Sequence, residues 1–214
     1  MINLLISLMT VLQCLCIGIS YAEDLREMSP ISSRIIFTGA PGSGKSSLIN
    51  YLDQETDIPV VFEAATRVFQ RRKAEGISAP WADLPGMMNK INHVNTQDMK
   101  KGPWGLSFWD RSLVDSVVYS QYFQIELHPR FVEDVEQMQT KYGFYQLVFL
   151  IELNPDPREF EMTEVRQRSA EEAMALEAMF EETYTRLGYE VRRIPWAPLE
   201  KRADLILKAL GLRS

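Results

Sequence analysis

The chain is poor in the residues that build metal and redox sites. It has two cysteines among 214 residues, Cys14 and Cys16, and both fall within the first 22 positions. The rest of the chain therefore forms no disulfide and offers no thiolate for zinc. Two histidines, His93 and His128, stand in unrelated contexts, which argues against a His-based metal site or a Ser-His-Asp triad. Positive charge is also in deficit. With 23 Lys and Arg against 29 Asp and Glu, the formal net charge is -6, which speaks against a broad nucleic-acid footprint because phosphate backbones are held by clustered cations. The one short basic run, Arg71-Arg72-Lys73, reads as a solvated helix face. There is no internal repeat and no low-complexity segment. A hydrophobic content of 46% at this length suffices for one sizeable core but not for two domains.

Against this background one segment stands out. Gly39-Ala40-Pro41-Gly42-Ser43-Gly44-Lys45-Ser46, continued by Ser47, fits the Walker A pattern G-x-x-x-x-G-K-[ST] without mismatch. Before it, Arg34 to Thr38 reads as a short buried strand. After it, Ser46 to Leu52 reads as a helix with apolar residues at 48, 49 and 52. The glycines allow positive φ, so that several N–H groups can turn toward one anion at a helix N-terminus, where the helix dipole also favours negative charge. Residues 39–47 are thus expected to bind a nucleoside triphosphate, with ATP and GTP both open. Lys45 would reach the β- and γ-phosphates, and the Ser46 hydroxyl would ligate Mg²⁺.

Further strands are expected over 58–62, 106–109, 145–151 and 189–195, separated by helices over 64–75, from 113, over 131–142, over 169–187 and over 199–210. The alternation predicts an α/β fold, a P-loop NTPase three-layer sandwich with a mostly parallel five-stranded sheet and helices on both faces. Between 76 and 105 the periodicity fades at Pro80, Pro85, Gly86, Gly102 and Pro103; a substrate-covering insertion and a surface loop with short helices fit this stretch equally. In such sheets ligands bind at the carboxyl ends of the strands. Glu63 ends the second strand and Asp110 the third, so both converge with Gly39 on one crevice. Asp110 is read as a Mg²⁺ ligand or, alternatively, an N-cap of the helix from Leu113. Arg111 is read as a neutraliser of phosphate charge or, alternatively, as a member of a surface salt bridge. Glu63 is either a general base toward a substrate hydroxyl or the i,i+4 partner of Arg67. Arg166 and Arg168, in a lid over about 154–168, are candidates to close over the triphosphate or to lie in a solvated linker.

These residues together make the chain similar to the P-loop kinase-like ATPase family labelled an AAA domain of the NadR type, which includes bacterial nicotinamide riboside kinase. The resemblance runs from about Arg34 to Leu210 and rests on the loop at 39–46, Glu63-Ala64-Ala65 with Arg67, and Asp110-Arg111-Ser112 with Asp115. The late run Tyr184 to Glu190, Pro195 and Glu200-Lys201-Arg202-Ala203 completes it. It implies that Glu63 acts as base toward a sugar hydroxyl and that the 110–112 motif serves phosphate and metal. The expected partners are a nucleoside triphosphate and a small hydroxyl-bearing substrate. Two functions follow: a kinase that phosphorylates such a substrate, with a nucleoside as one class, or a nucleotide-dependent binding or regulatory switch.

Residues 1–22 carry no charged side chain and end in small residues at 20 and 22. A signal peptide cleaved after Ala22, a membrane anchor, and a start of translation at Met28 all fit. The chain is therefore divided into a leader, 1–27, and a domain, 28–214. Because triphosphate pools are chiefly cytosolic, a cytoplasmic place is favoured over export or anchoring, and a membrane would be met only through a retained leader.

Overall fold

The computed structural model describes residues 33–77, 82–156 and 169–213. Five strands, β1 (Arg34–Thr38), β2 (Val60–Val61), β3 (Ser107–Asp110), β4 (Phe144–Ile151) and β5 (Glu190–Ile194), form one sheet in the order β2-β3-β1-β4-β5. Every neighbouring pair is parallel, where the sequence led us to expect a mostly parallel sheet. Eight helices accompany them among the described residues: α1 (Lys45–Glu55), α2 (Ala64–Ala74), α3 (Leu84–Lys101), α4 (Leu113–Phe123), α5 (Pro129–Glu136), α6 (Met138–Tyr142), α7 (Ala170–Arg186) and α8 (Leu199–Ala209).

Side chains alternate across a strand, so the apolar residues of the central strand β1 feed two different cores. Ile35 and Phe37 pack with Leu48, Leu52 and Ile206 of α1 and α8. Ile36 faces the other way, onto Val114 and Val118 of α4 and Leu176 and Phe180 of α7. Three layers result. A smaller cluster joins Val68 and Phe69 of α2 to Met87, Met88 and Ile91 of α3.

The segment 76–105 corrects the reading of a broken stretch, because Leu84–Lys101 is a single helix of 18 residues. Pro85 lies in its first turn, where a missing N–H costs nothing, and the Asp83 side chain accepts from the Gly86 N–H at 2.9 Å. The far end of α3 is held by Arg34. This side chain is fully buried at the start of β1 and donates to the carbonyls of Met99 at 2.7 Å, Pro103 at 2.9 Å and Gly102 at 3.0 Å. A cation at a helix C-terminus suits the dipole, and its guanidinium carbon lies 4.4 Å and 4.8 Å from the centres of the Trp104 and Trp109 rings. Burial lowers its pKa to about 10.

Smaller departures have local causes. β2 keeps two residues of an expected five, since it is an edge strand that pairs only with β3. The helix expected over 131–142 splits at Gln137, whose backbone leaves helical geometry. In the run 71–73, Arg72 is buried rather than solvated. The leader and the lid arginines Arg166 and Arg168 lie outside the described residues, and no described helix is long and apolar enough to cross a membrane.

Candidate active site

The loop after β1 is shaped by contacts that only glycine permits. Gly39 has φ 152°, and a Cβ there would lie 2.6 Å from the Ile151 carbonyl oxygen of β4. Gly44, at φ 76°, is the N-cap of α1 and sits against the Arg202 guanidinium. From Ala40 to Ser47 the loop lines one side of a cavity of about 420 Å³. Lys45 is buried, and its ammonium pairs with the Asp110 carboxylate at the end of β3.

A second charged group lines the same cavity. Glu63, just past β2 and at the N-cap of α2, accepts from Arg111 Nε at 2.6 Å and from Thr66 Oγ1 at 2.9 Å. The Glu63 carboxylate does not pair with Arg67, whose guanidinium pairs with Asp98 on α3 and reaches only the Glu63 carbonyl, at 3.5 Å. Arg111 reaches Glu63 because its own backbone adopts φ 73°, a left-handed conformation that strains a residue with a side chain. This single turn separates three jobs: Asp110 closes β3, Arg111 swings toward β2, and Ser112 caps α4. Asp110 is therefore not the N-cap; Ser112 is, in a capping box with Asp115.

Asp115 anchors the arrangement. It is 2% exposed, and its Oδ1 accepts from Arg111 at 2.8 Å and from Thr38 Oγ1 at 2.7 Å. Its Oδ2 accepts from the Ser112 N–H at 3.0 Å and from the Tyr184 hydroxyl at 2.5 Å. The hydroxyls of Tyr184 and Ser112 also share a hydrogen bond of 2.7 Å. Burial, helped by the Asp115 charge, drives the Tyr184 hydroxyl well up from its ordinary pKa, so it stays a donor.

Glu63 and Asp110 thus sit in different fields. Burial pushes the Glu63 carboxyl up, yet the charges of Arg111 and Lys45 and two hydrogen bonds outweigh it, and its pKa falls to about 2. At Asp110 burial prevails with help from Glu63, against the pull of Lys45, and the pKa is raised. Burial opposes the charge on Arg111, but Tyr119, Glu63, Asp115 and Asp110 hold its pKa well above the ordinary value.

The rest of the cavity wall comes from the start of α2, with Ala64, Ala65 and Thr66, and from α3 and α4. Met88, Ile91, Tyr119 and Phe123 give it an apolar, partly aromatic stretch, while Asn95 donates to Ser116 Oγ at 3.2 Å within the same wall. The structure therefore brings Lys45, Glu63 and Arg111 together on one cavity with the loop. Asp110 touches the cavity only through Lys45, and Gly39 stands behind the loop. Asp115, Asn95, Tyr119 and Tyr184 were not among the expected site residues. Asp115 and Tyr184 both lie in the segments that carry the family resemblance, and Ser112-x-x-Asp115 is a capping-box spacing; for Asn95 and Tyr119 there is no local signal. Among the described residues no cluster of three or more His, Cys, Asp or Glu could hold a metal alone.

Solved structures with the same architecture include deoxyadenosine kinase from M. mycoides. It matches at 12% identity and a TM-score of 0.58 over 83% of this chain and 98% of that one. The NadR protein in complex with NR matches at 15% identity and a TM-score of 0.59 over 90% of this chain and 54% of that longer one. Thymidylate kinase from Ehrlichia chaffeensis matches at 14% and 0.54, over 84% of this chain and 98% of that one. At such identities the likeness concerns the fold. No curated protein matches the sequence. The parallel sheet with a glycine-rich loop between β1 and α1 is the P-loop NTPase fold, and residues 34–202 match the model of the AAA domain family, so the chain belongs to that family.

Proposed function

We propose that the protein is an ATP-dependent kinase that transfers the γ-phosphoryl group to a hydroxyl of a small, uncharged acceptor, with a nucleoside as the class that fits the cavity. One observation carries this reading: the loop and an ionised carboxylate, Glu63, line one and the same cavity of about 420 Å³. The loop amides and Lys45 would hold the triphosphate, with Ser46 and Ser47 at the start of α1. Ser46 and Asp110 are hard oxygen donors, and Mg²⁺ needs only one or two of these beside water and phosphate oxygens, so the residues present fit that ion. When bound, Mg²⁺ supplies neutralisation of charge between phosphate oxygens.

In the proposed step the acceptor oxygen bonds to the γ-phosphorus, the bond to the β–γ bridging oxygen breaks, and ADP leaves. The hydroxyl proton passes to Glu63. A carboxyl held at a pKa of about 2 is a weak base, so Glu63 mainly orients the hydroxyl and takes the proton late, as a loose transition state allows. Arg111 fixes Glu63, and Asp115 fixes Arg111. The wall of Met88, Ile91, Tyr119 and Phe123 suits a flat ring, with Asn95 and Ser116 at its polar edge. Among the described residues both cations on the cavity, Lys45 and Arg111, already have carboxylate partners. That favours an acceptor without a phosphate of its own.

The test is a screen of the protein with ATP or GTP, Mg²⁺ and a panel of nucleosides, nucleoside monophosphates and small alcohols, scored by mass for the gain of one phosphoryl group. Glu63→Gln is expected to keep triphosphate binding and to lower transfer by about 10²–10⁴-fold, the usual worth of a positioned acid or base. Unchanged transfer in that variant defeats the assignment, and triphosphate binding without any product moves the protein to the switch reading.

A further inference from the structure

Arg202, in the first turn of α8, is 4% exposed and does not line the cavity. Its NH1 donates to the Ser43 carbonyl of the loop at 2.9 Å, and its guanidinium carbon lies 4.7 Å from the centre of the Trp196 ring. No carboxylate pairs with it among the described residues, although the sequence holds 29 acids. Buried arginines ordinarily take carboxylate partners, since desolvation of an unpaired charge is costly. Among the described residues Arg34 does without one at a helix C-terminus, whose dipole suits a cation, whereas Arg202 sits against Gly44 at a helix N-terminus, whose dipole does not. A carboxylate at this place would cancel the positive field immediately behind the helix N-terminus. The guanidinium instead has a peptide carbonyl and an aromatic face, neither of which removes its charge.

The hydrogen bond has a geometric consequence. A peptide is planar and trans, so its C=O and N–H point in opposite directions. Fixing the Ser43 carbonyl toward Arg202 fixes the N–H of Gly44, on the same peptide, away from it, and Gly44 lines the cavity. A charged donor on the carbonyl also polarises that peptide, which makes its N–H a stronger donor. The fit is close: a Cβ on Gly44 would lie 3.1 Å from both terminal nitrogens of Arg202 and 3.4 Å from the Trp196 ring.

We infer that Arg202 is a positioning residue for the phosphate loop, which aims and polarises the Gly44 N–H at a bound phosphate and lends the loop an uncompensated positive charge. This rests on the proposal that the loop holds a triphosphate. The experiment is calorimetric titration of the full chain and of Arg202→Met and Arg202→Lys with Mg-ATP and with inorganic pyrophosphate, beside urea unfolding of each. Arg202→Met is expected to weaken both ligands alike, by about ten- to a hundredfold. Arg202→Lys keeps the charge but not the fork, and is expected to recover part of the loss while unfolding near the wild-type midpoint. If Arg202→Met does not fold, Arg202→Lys alone decides. Because the Trp196 ring abuts this unit, ATP is also expected to change tryptophan emission in the wild type and not in Trp196→Phe. Wild-type affinity in both Arg202 variants overturns this inference and leaves the kinase reading intact. Weakened ATP with unchanged pyrophosphate also overturns it, since Arg202 would then act on the base. Failure of the wild type to bind either ligand overturns both.

Discussion

Asp115→Asn isolates the residue on which the charged cluster hangs. The substitution keeps the shape and halves the acceptors, so its cost follows from the four donors that converge on the carboxylate. Two of them, the hydroxyls of Thr38 and Tyr184, can rotate and accept a hydrogen bond instead. The other two, Arg111 NH1 and the Ser112 N–H, are donors only. One hydroxyl and one fixed donor share each oxygen, so whichever way the amide is turned, one fixed donor meets an NH₂ group. The cheaper orientation places that group on Ser112, because orphaning a neutral N–H costs about 1–3 kcal/mol and orphaning a buried guanidinium costs more. Arg111 then keeps a neutral acceptor in place of a carboxylate, which weakens a charge-assisted bond by about half. The total comes to about 2–4 kcal/mol, a large share of the roughly 5–15 kcal/mol that holds a domain folded. Urea unfolding followed by circular dichroism checks it, with the midpoint lowered and the slope m unchanged. A shift equivalent to less than about 0.5 kcal/mol would refute the reasoning, since that is the effect of an ordinary surface change.

The fold and site yield other expectations. The Glu63 carboxyl sits at about 2 in the folded protein against the usual 4.5, so the unfolded chain binds its proton more tightly. The resulting stabilisation is present above pH 4.5 and is lost as the pH falls toward 2, about 3 kcal/mol in all. Unfolding free energies measured across that interval should slope less steeply in Glu63→Gln than in the wild type, and parallel profiles would count against the depressed carboxyl. Arg34→Met should cost about 3–5 kcal/mol in the same urea assay, because it strips a buried cation from three carbonyls. A loss below about 1 kcal/mol would mean that water satisfies those carbonyls equally well.

What the sequence disclosed was what local pattern encodes. The loop at 39–47 and the apolar run of β4 are contiguous, so spacing and composition sufficed for both. Helix α3 was hidden because Pro85 and Gly86 read as breakers, yet at the first turn of a helix neither removes a needed hydrogen bond. The pairing of Glu63 followed a similar course. Helical spacing pointed to Arg67, four residues on, whereas the partner is Arg111, 48 residues away, turned in by a left-handed backbone that no propensity foretells. Arg34, Tyr184 and Arg202 act across separations of 65, 69 and 159 residues. Their roles exist only once the sheet order brings β1, α3, α7 and α8 together.

The balance of charge around the loop leads to a last expectation. Lys45 and Arg111 face Glu63, Asp110 and Asp115, so the two cations are outnumbered by carboxylates within one connected group. A triphosphate arriving alone would meet the dipole of α1 and the loop amides, but also this surplus of negative charge. Moving Lys45 onto phosphate would leave Asp110 buried without its partner, at a carboxyl whose pKa burial already raises. Two uncompensated charges about 4 Å apart cost about 4 kcal/mol at an effective dielectric constant of about 20. Under the proposed function a divalent cation held by Asp110 and Ser46 would remove that penalty, so Mg²⁺ and triphosphate should bind as one unit. ATP affinity is accordingly expected to fall on the order of a thousandfold when Mg²⁺ is chelated. In Asp110→Asn, which has no carboxylate to compensate, the dependence on Mg²⁺ should shrink. Titration with and without EDTA measures both, and equal ATP affinity in the two conditions would show that Lys45 does not leave Asp110 when nucleotide binds.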